Sequence, residues 1–220
     1  MNENKIFLRK KRHGPGRPSQ QTMENKADDI LEIATCVFLE HGYERTSIND
    51  IVSMLRCSKA TLYSRYPTKR HLFSAVIETQ TQIMKCAFEK DMSENESLNL
   101  VLEKFGKNLY RTIFHKELSS LFRIVVAEAD FFPDVAKKFF IAGPLHSIYL
   151  LKKHLSKRFK FSDEKSEYIA ESFVSLCLGI SLLHKMLDPD YSLSDEEQNK
   201  KIKNAINTVL YNDNILALKI

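Results

Sequence analysis

The chain is short of the residues that build turns. It has six Gly and six Pro in 220 residues and no Trp. Without hairpin dipeptides set between alternating strand patterns, a β-rich fold is excluded and an all-α protein is expected. Cysteine is sparse too: Cys36, Cys57, Cys86 and Cys177 lack the paired spacing of a metal site. They read as reduced, mostly buried thiols of a cytoplasmic protein. Seven His offer no convincing metal spacing, and no Gly-rich phosphate loop, nucleophile elbow or Cys–His arrangement occurs. No catalytic residue, metal or cofactor is therefore expected, and an enzyme is the least supported class. Asp28-Asp29 has no second carboxylate set, and Glu128, Asp130 and Asp134 read as a solvated or Arg123-paired helix end. Long apolar runs are missing. The longest, Phe173 to Leu183, contains Ser175 and Ser181 and is too short to span a bilayer. The amino end is basic without an apolar run, so neither a signal peptide nor a membrane partner is expected.

What is present is unevenly placed charge. Residues 1–70 hold 13 Lys and Arg against 8 Asp and Glu, a net of +5, whereas residues 71–220 hold 20 against 20. A polyanion would dock on the amino-terminal third. Residues 1–22 read as a flexible basic arm carrying Arg9-Lys10-Lys11-Arg12 and Gly14-Pro15-Gly16-Arg17-Pro18. Such cations follow phosphates. Gly16-Arg17-Pro18 resembles the core of an AT-hook, whose Arg enters a narrow minor groove.

A long helix follows, from about Glu24 to His41, with Ile30, Ala34, Val37 and Phe38 on one side and Gly42 placed as a left-handed cap. Thr46 or Ser47 can cap a short helix whose apolar stripe is Ile48, Ile51, Val52 and Leu55. Arg56-Cys57-Ser58 breaks it, and Ser58 can cap a second short helix from Lys59 to about Arg65. Leu62 and Tyr66 would face inward, leaving Lys59, Thr61, Tyr63, Ser64 and Arg65 outside or at the rim. Pro67 stops that helix, and Thr68 caps the next, which starts at Lys69. Two short helices joined by a tight turn form a helix-turn-helix, whose second helix can enter a DNA major groove. Hydroxyls and cations on an outer face suit phosphates and base edges. Two packed helices with a solvated face would share the pattern.

Ile30 to Lys69, with His41-Gly42-Tyr43, Thr46, Ile48, Ser58-Lys59, Thr61-Leu62-Tyr63, Tyr66 and Lys69, resembles the TetR/AcrR family of bacterial transcriptional regulators. The resemblance implies that Ser47, Ser58, Lys59, Ala60, Thr61, Tyr63, Ser64, Arg65 and Lys69 lie at or near DNA. Arg56 stands where many members have Gly, and Arg65 where His or Tyr is frequent. Leu121 to Pro144, with Ala127-Glu128-Ala129 and Phe132-Pro133, is similar to the carboxy-terminal domain of an AefR-like subgroup. It implies a helical regulatory domain.

The expected organisation is thus a basic arm (1–22), a three-helix helix-turn-helix domain (23–70) and a helical ligand-binding and dimerisation domain (71–220). The helix from Lys69 towards Asp91 would link the two domains. Breaks at Pro133 and Gly143-Pro144 suggest room for a small, largely apolar effector among Phe105, Leu109, Phe122, Val126, Phe140 and Tyr149. The rival is that these side chains fill one another's space. Ser162 caps a helix in which Ile169, Phe173, Leu176, Ile180, Leu183 and Leu187 recur at steps of four and three. Gly179 within it would require close approach of another helix. Ser194-Asp195-Glu196-Glu197 is a capping box opening the last helix. A core helix within one subunit would show much the same stripe; the resemblance assigns these last two helices to a homodimer interface. The function implied is a cytoplasmic, homodimeric regulator, most often a repressor, on a palindromic operator and answering to a small molecule. The alternative is a ligand-independent DNA-organising or protein-interaction scaffold.

Overall fold

A computed structural model describes residues 20–55, 57–89 and 96–217. Arg17 and the rest of the arm, Arg56, and most of the polar break before Ser97 lie outside them. The described residues form helices and no strand. The helices are α1 (Gln20–Arg45), α2 (Ile48–Leu55), α3 (Lys59–Tyr63), α4 (Lys69–Glu89), α5 (Leu98–Ile113), α6 (Lys116–Ala127) and α7 (Pro133–Phe140). A π-helical turn (Ile141–Leu145) then leads into α8 (His146–Phe159), followed by α9 (Asp163–Leu187) and α10 (Asp195–Ala217). The expected interruption at Gly143-Pro144 is a wider turn instead of a break, because i→i+5 bonding tolerates the missing Pro144 amide. Pro133 opens α7, where its absent N–H would have no helical partner anyway.

The chain divides into two compact units. The first comprises the described residues up to Ile83 together with Arg123–Phe139, and the second Met84–Phe122 with Phe140 onward. This division departs from a boundary at residue 70. The beginning of α4, the end of α6 and α7 all belong with the helix-turn-helix.

In the first unit, Ile30, Ala34, Val37 and Phe38 of α1 are buried, as are Ile51 of α2 and Leu62 of α3. From α4, Leu72, Phe73, Val76 and Ile77 join them, with Phe132 and Phe139 contributed from beyond α6. Gly42 adopts φ 75°, ψ 176°, so α1 turns there before Thr46. That backbone suits glycine, but its ψ is extended, so the expected left-handed cap is not what Gly42 forms.

In the second unit, α9 packs against α8, α10 and α5, and α10 also packs on α5. A Cβ on Gly106 of α5 would lie 2.9 Å from Ile202 Cγ1 of α10, so this crossing requires glycine's missing side chain. Gly179 serves otherwise than expected. At φ 32°, ψ −130° it kinks α9, and a Cβ there would meet nothing within 4 Å. Its backbone, and not a close neighbour, uses the glycine. The buried Tyr110 hydroxyl donates to the Cys177 carbonyl beside this kink. α9 is also longer than the apolar run read from the sequence, and with mean hydropathy 1.3 over its best window it could cross a bilayer by length and composition alone. Its inner face, which buries Ser166, Ser181 and Lys185 alongside Ile169 and Phe173, is that of a helix packed in protein.

Candidate nucleic-acid interface

Short-range hydrogen bonds set the helix-turn-helix. Ser47 Oγ accepts from the Asn49 amide (3.0 Å), and Asp50 Oδ2 accepts from the Ser47 amide (3.2 Å). Ser47 therefore caps α2 through the Asn49 amide, and the Asp50 carboxylate reaches back to the Ser47 amide. Thr46, the other candidate cap, is buried and donates its hydroxyl to Gly42 O at 2.6 Å. Ser58 caps α3, accepting from the Thr61 amide at 3.1 Å, with its hydroxyl 2.9 Å from that of Thr61. Ser64 Oγ donates to Thr61 O at 2.9 Å. Thr68 Oγ1 accepts from the His71 amide at 3.3 Å and starts α4 as expected.

Within α3, Leu62 is the buried anchor, while Ser58, Lys59, Ala60, Thr61, Tyr63 and Ser64 are all exposed. One short helix thus presents a cation, hydroxyls, a methyl and a phenol outward. Phosphate contacts and base-edge contacts both draw on these groups. Ser47 and Arg65 are half-buried at the rim. Tyr66 is half-buried, and its phenol is raised above the ordinary value, chiefly by burial, with Arg65 opposing.

Lys69 is half-buried like Ser47 and Arg65 and opens α4. Its ammonium donates to Tyr43 O (2.9 Å), Glu44 O (3.2 Å) and Thr46 O (3.2 Å), so it is turned onto the end of α1. An ammonium has three protons, and these three carbonyls take them.

Sequence reasoning placed Phe132 only within the AefR-like resemblance and missed its contacts with the helix-turn-helix unit. Its buried ring lies 4.7 Å from Tyr43 and 5.2 Å from Phe73, centroid to centroid, and the Arg70 guanidinium sits 4.6 Å over it. Lys138 Nζ meets Glu78 at 2.7 Å, a second link from α7 to α4. No spacing in the sequence announces such a pairing of distant segments.

The acidic cluster is not one solvated group. Asp130 and Asp134 are exposed, but Glu128 is buried. Burial first, then Glu44, raises the Glu128 carboxyl above its usual range, and Lys69 opposes. The thiols also depart from expectation: only Cys177 is buried, Cys36 and Cys57 are half-buried and Cys86 is exposed. Burial pushes the Cys177 thiol up to about 12, which leaves it protonated and unreactive at neutral pH.

The six residues suggested for an effector site do not share one environment. Phe105 and Leu109 are buried in the second unit, with Phe105 packed 6.4 Å from Phe173, and Phe122 is half-buried. Val126 belongs to the first unit, and Phe140 and Tyr149 to the second; each is more than half exposed. The apolar seam of α9 is corrected in part as well. Ile169 and Phe173 are fully buried in the chain's own core, whereas Leu176, Ile180, Leu183 and Leu187 are exposed. Only the last four are available to a second copy.

The fold and the outward face of α3 define a helix-turn-helix DNA-binding transcriptional regulator, a class that is not enzymatic. The chain belongs to the TetR family: residues 30–76 match the bacterial regulatory proteins of the tetR family, and residues 100–212 match the AefR-like transcriptional repressor, C-terminal domain. Among relatives, it is 44% identical over 70 residues to YvaF, an HTH-type transcriptional regulator of Bacillus subtilis, covering 32% of this chain and 35% of that one. It is 28% identical over 95 residues to the Staphylococcus aureus regulator IcaR, a negative transcriptional regulator of the biofilm operon icaADBC, covering 41% and 47%. These matches span a third to a half of the relatives' lengths. Among solved structures, the Flavonoid-responsive Regulator FrrA superposes with TM-score 0.68 at 26% identity, over 86% of this chain and 96% of that one. A TetR-family regulator from Mesorhizobium loti gives TM-score 0.77 at 21% identity over the same shares, a likeness of fold.

Proposed function

We propose that this protein is a cytoplasmic repressor that binds an imperfect palindromic operator as a homodimer and is released by a small, mainly apolar effector. The observation that carries the DNA reading is the exposed face of α3, held on buried Leu62 and capped by Ser58. Ser58, Lys59, Ala60, Thr61, Tyr63 and Ser64 enter the major groove, with Ser47 and Arg65 at its edge and Arg17 in the adjacent minor groove. Two such units need a two-fold partner, and the exposed Leu176, Ile180, Leu183 and Leu187 of α9 supply an apolar seam for it. The repressor sense and the effector are supported by the AefR-like repressor match and by the likeness to a flavonoid-responsive regulator. A ligand releases DNA only if it prefers one conformation.

The test is to capture genomic fragments with purified full-length protein, footprint them, and then challenge the complex with a flavonoid panel and other small apolar compounds. The expected footprint has two half-sites about one helical turn apart, and at least one compound releases the DNA. Binding that is the same on every fragment would overturn sequence-specific regulation. Specific binding that no compound relieves would favour a ligand-independent scaffold. The burial of Phe105 and Leu109 against the core suits that second reading.

A further inference from the structure

We infer that Lys69 and Phe132 are positioning residues of the DNA-binding unit, a node through which the Arg123–Phe139 segment holds the helix-turn-helix in its DNA-binding orientation. The inference rests on the DNA-binding reading above and names what regulates that surface. Three connections meet at the node. Tyr43 and Glu44 lie just beyond the reversal at Gly42, and Thr46 immediately precedes the Ser47 cap of α2. Lys69, first residue of α4, binds the carbonyls of all three. One ammonium therefore ties the end of α1, the start of α2 and the start of α4 together. Its Nζ also lies 4.3 Å from the Tyr43 ring centroid.

Phe132 presses on the same tyrosine. Its ring meets Tyr43 edge to face, at 80° and 4.7 Å, while Phe73 of α4 lies 4.9 Å from Tyr43 on its own side. Arg70, next to Lys69, covers the Phe132 ring. Tyr43 is thus held by the rings of Phe132 and Phe73 and by the Lys69 ammonium. Moving Phe132 out would remove one of the walls of the Tyr43 ring, and the Tyr43, Glu44 and Thr46 carbonyls would hold their geometry against Lys69 less firmly. The direction in which α2 and α3 leave α1 depends on those carbonyls. Phe132 follows directly on the Glu128–Phe131 corner, whose backbone is closed by the Phe132 amide donating to Glu128 O at 2.9 Å. A shift of that corner moves Phe132 with it. The segment that carries the AefR-like resemblance is therefore a part of the DNA-binding unit, and it can set the orientation of α3 without touching DNA.

The test compares wild type, K69M, F132L and F132A, each full length, in two measurements. The first is affinity for a genomic fragment that the wild type binds, taken across a salt series. K69M is expected to lose about tenfold or more in affinity with an unchanged slope, since a phosphate contact would remove about 0.9 from that slope. F132A should weaken binding comparably, F132L should retain most of it, and the two losses should not add when K69M and F132A are combined, because they act on one node. The second measurement needs no DNA. Amide exchange at Thr46, which donates to Tyr43 O at 3.2 Å, should quicken about tenfold or more in F132A while α10 amides keep wild-type protection. A slope flattened by one phosphate in K69M would make Lys69 a DNA contact and overturn the inference. So would unchanged Thr46 exchange in F132A, or F132A binding DNA as the wild type does. If the wild type binds no DNA, the DNA-binding reading fails, and the exchange measurement still decides whether Phe132 holds the junction.

Discussion

Replacing Leu176 and Ile180 together by Glu tests the assembly, and its effect can be estimated from exposure. In the single chain Leu176 is 46% exposed and Ile180 72%, so together they leave about one whole apolar side chain to be covered by a partner. Fully burying such a side chain contributes about 1.5–3 kcal/mol. A two-fold interface buries the pair twice, so the apolar loss is about 3–6 kcal/mol per dimer. At about 1.4 kcal/mol per tenfold change, the dimer weakens by about 10²–10⁴-fold, before any cost of burying carboxylates against one another. Sedimentation velocity over a concentration series reads this directly, with far-UV circular dichroism to confirm that the helices persist. The expected result is a folded monomer at micromolar concentration. Phe173→Glu is the contrast: Phe173 is fully buried in its own chain, so this change should unfold the protein and not merely dissociate it. A doubly substituted protein that sediments as a dimer with wild-type affinity would refute the assignment of this α9 face.

Two further outcomes follow from packing and from charge. Gly143→Ala would crowd Met84 Cε, the far end of a flexible side chain that can give way, so the cost in a denaturant titration should stay below about 1 kcal/mol. Met84→Ala removes the crowding atom, so adding Gly143→Ala to it should cost less than Gly143→Ala alone; strictly additive losses would show that the two do not meet. For Glu128, the folded chain holds its proton more tightly than the unfolded chain does. The wild type therefore loses stability as pH rises from the unfolded carboxyl value, about 4.3, through the raised folded value. Glu128→Gln has no such proton. Its stability relative to wild type should climb across that window and level off above it, and parallel pH–stability curves would contradict the burial of this charge.

Much of the helix-turn-helix was legible in the sequence because its determinants are local. Ser58, Thr68, Ser162 and the Ser194–Glu197 box each bond an amide within three residues, and such contacts depend on neighbours along the chain alone. Leu62 inward with Lys59, Thr61 and Tyr63 outward likewise follows from helical periodicity over a few residues. The competition between Thr46 and Ser47 was not decided there. Both have the right side chain, and only the turn at Gly42 draws the Thr46 hydroxyl onto α1.

Tertiary structure decided the rest. Periodicity marked Ile169 to Leu187 as one apolar face, but what covers a face depends on the neighbouring helices. Their packing buries Ile169 and Phe173 and leaves Leu176, Ile180, Leu183 and Leu187 uncovered. The cation of Lys69 suits phosphate and carbonyl oxygen equally well in chemistry. Its position at the start of α4, beside the end of α1, gives it carbonyls. Phe132 has no local signal at all, since an aromatic residue before a proline fits any helix corner. Its place against Tyr43 exists only because folding brings two distant segments into one hydrophobic core, where burial is rewarded without regard to sequence separation.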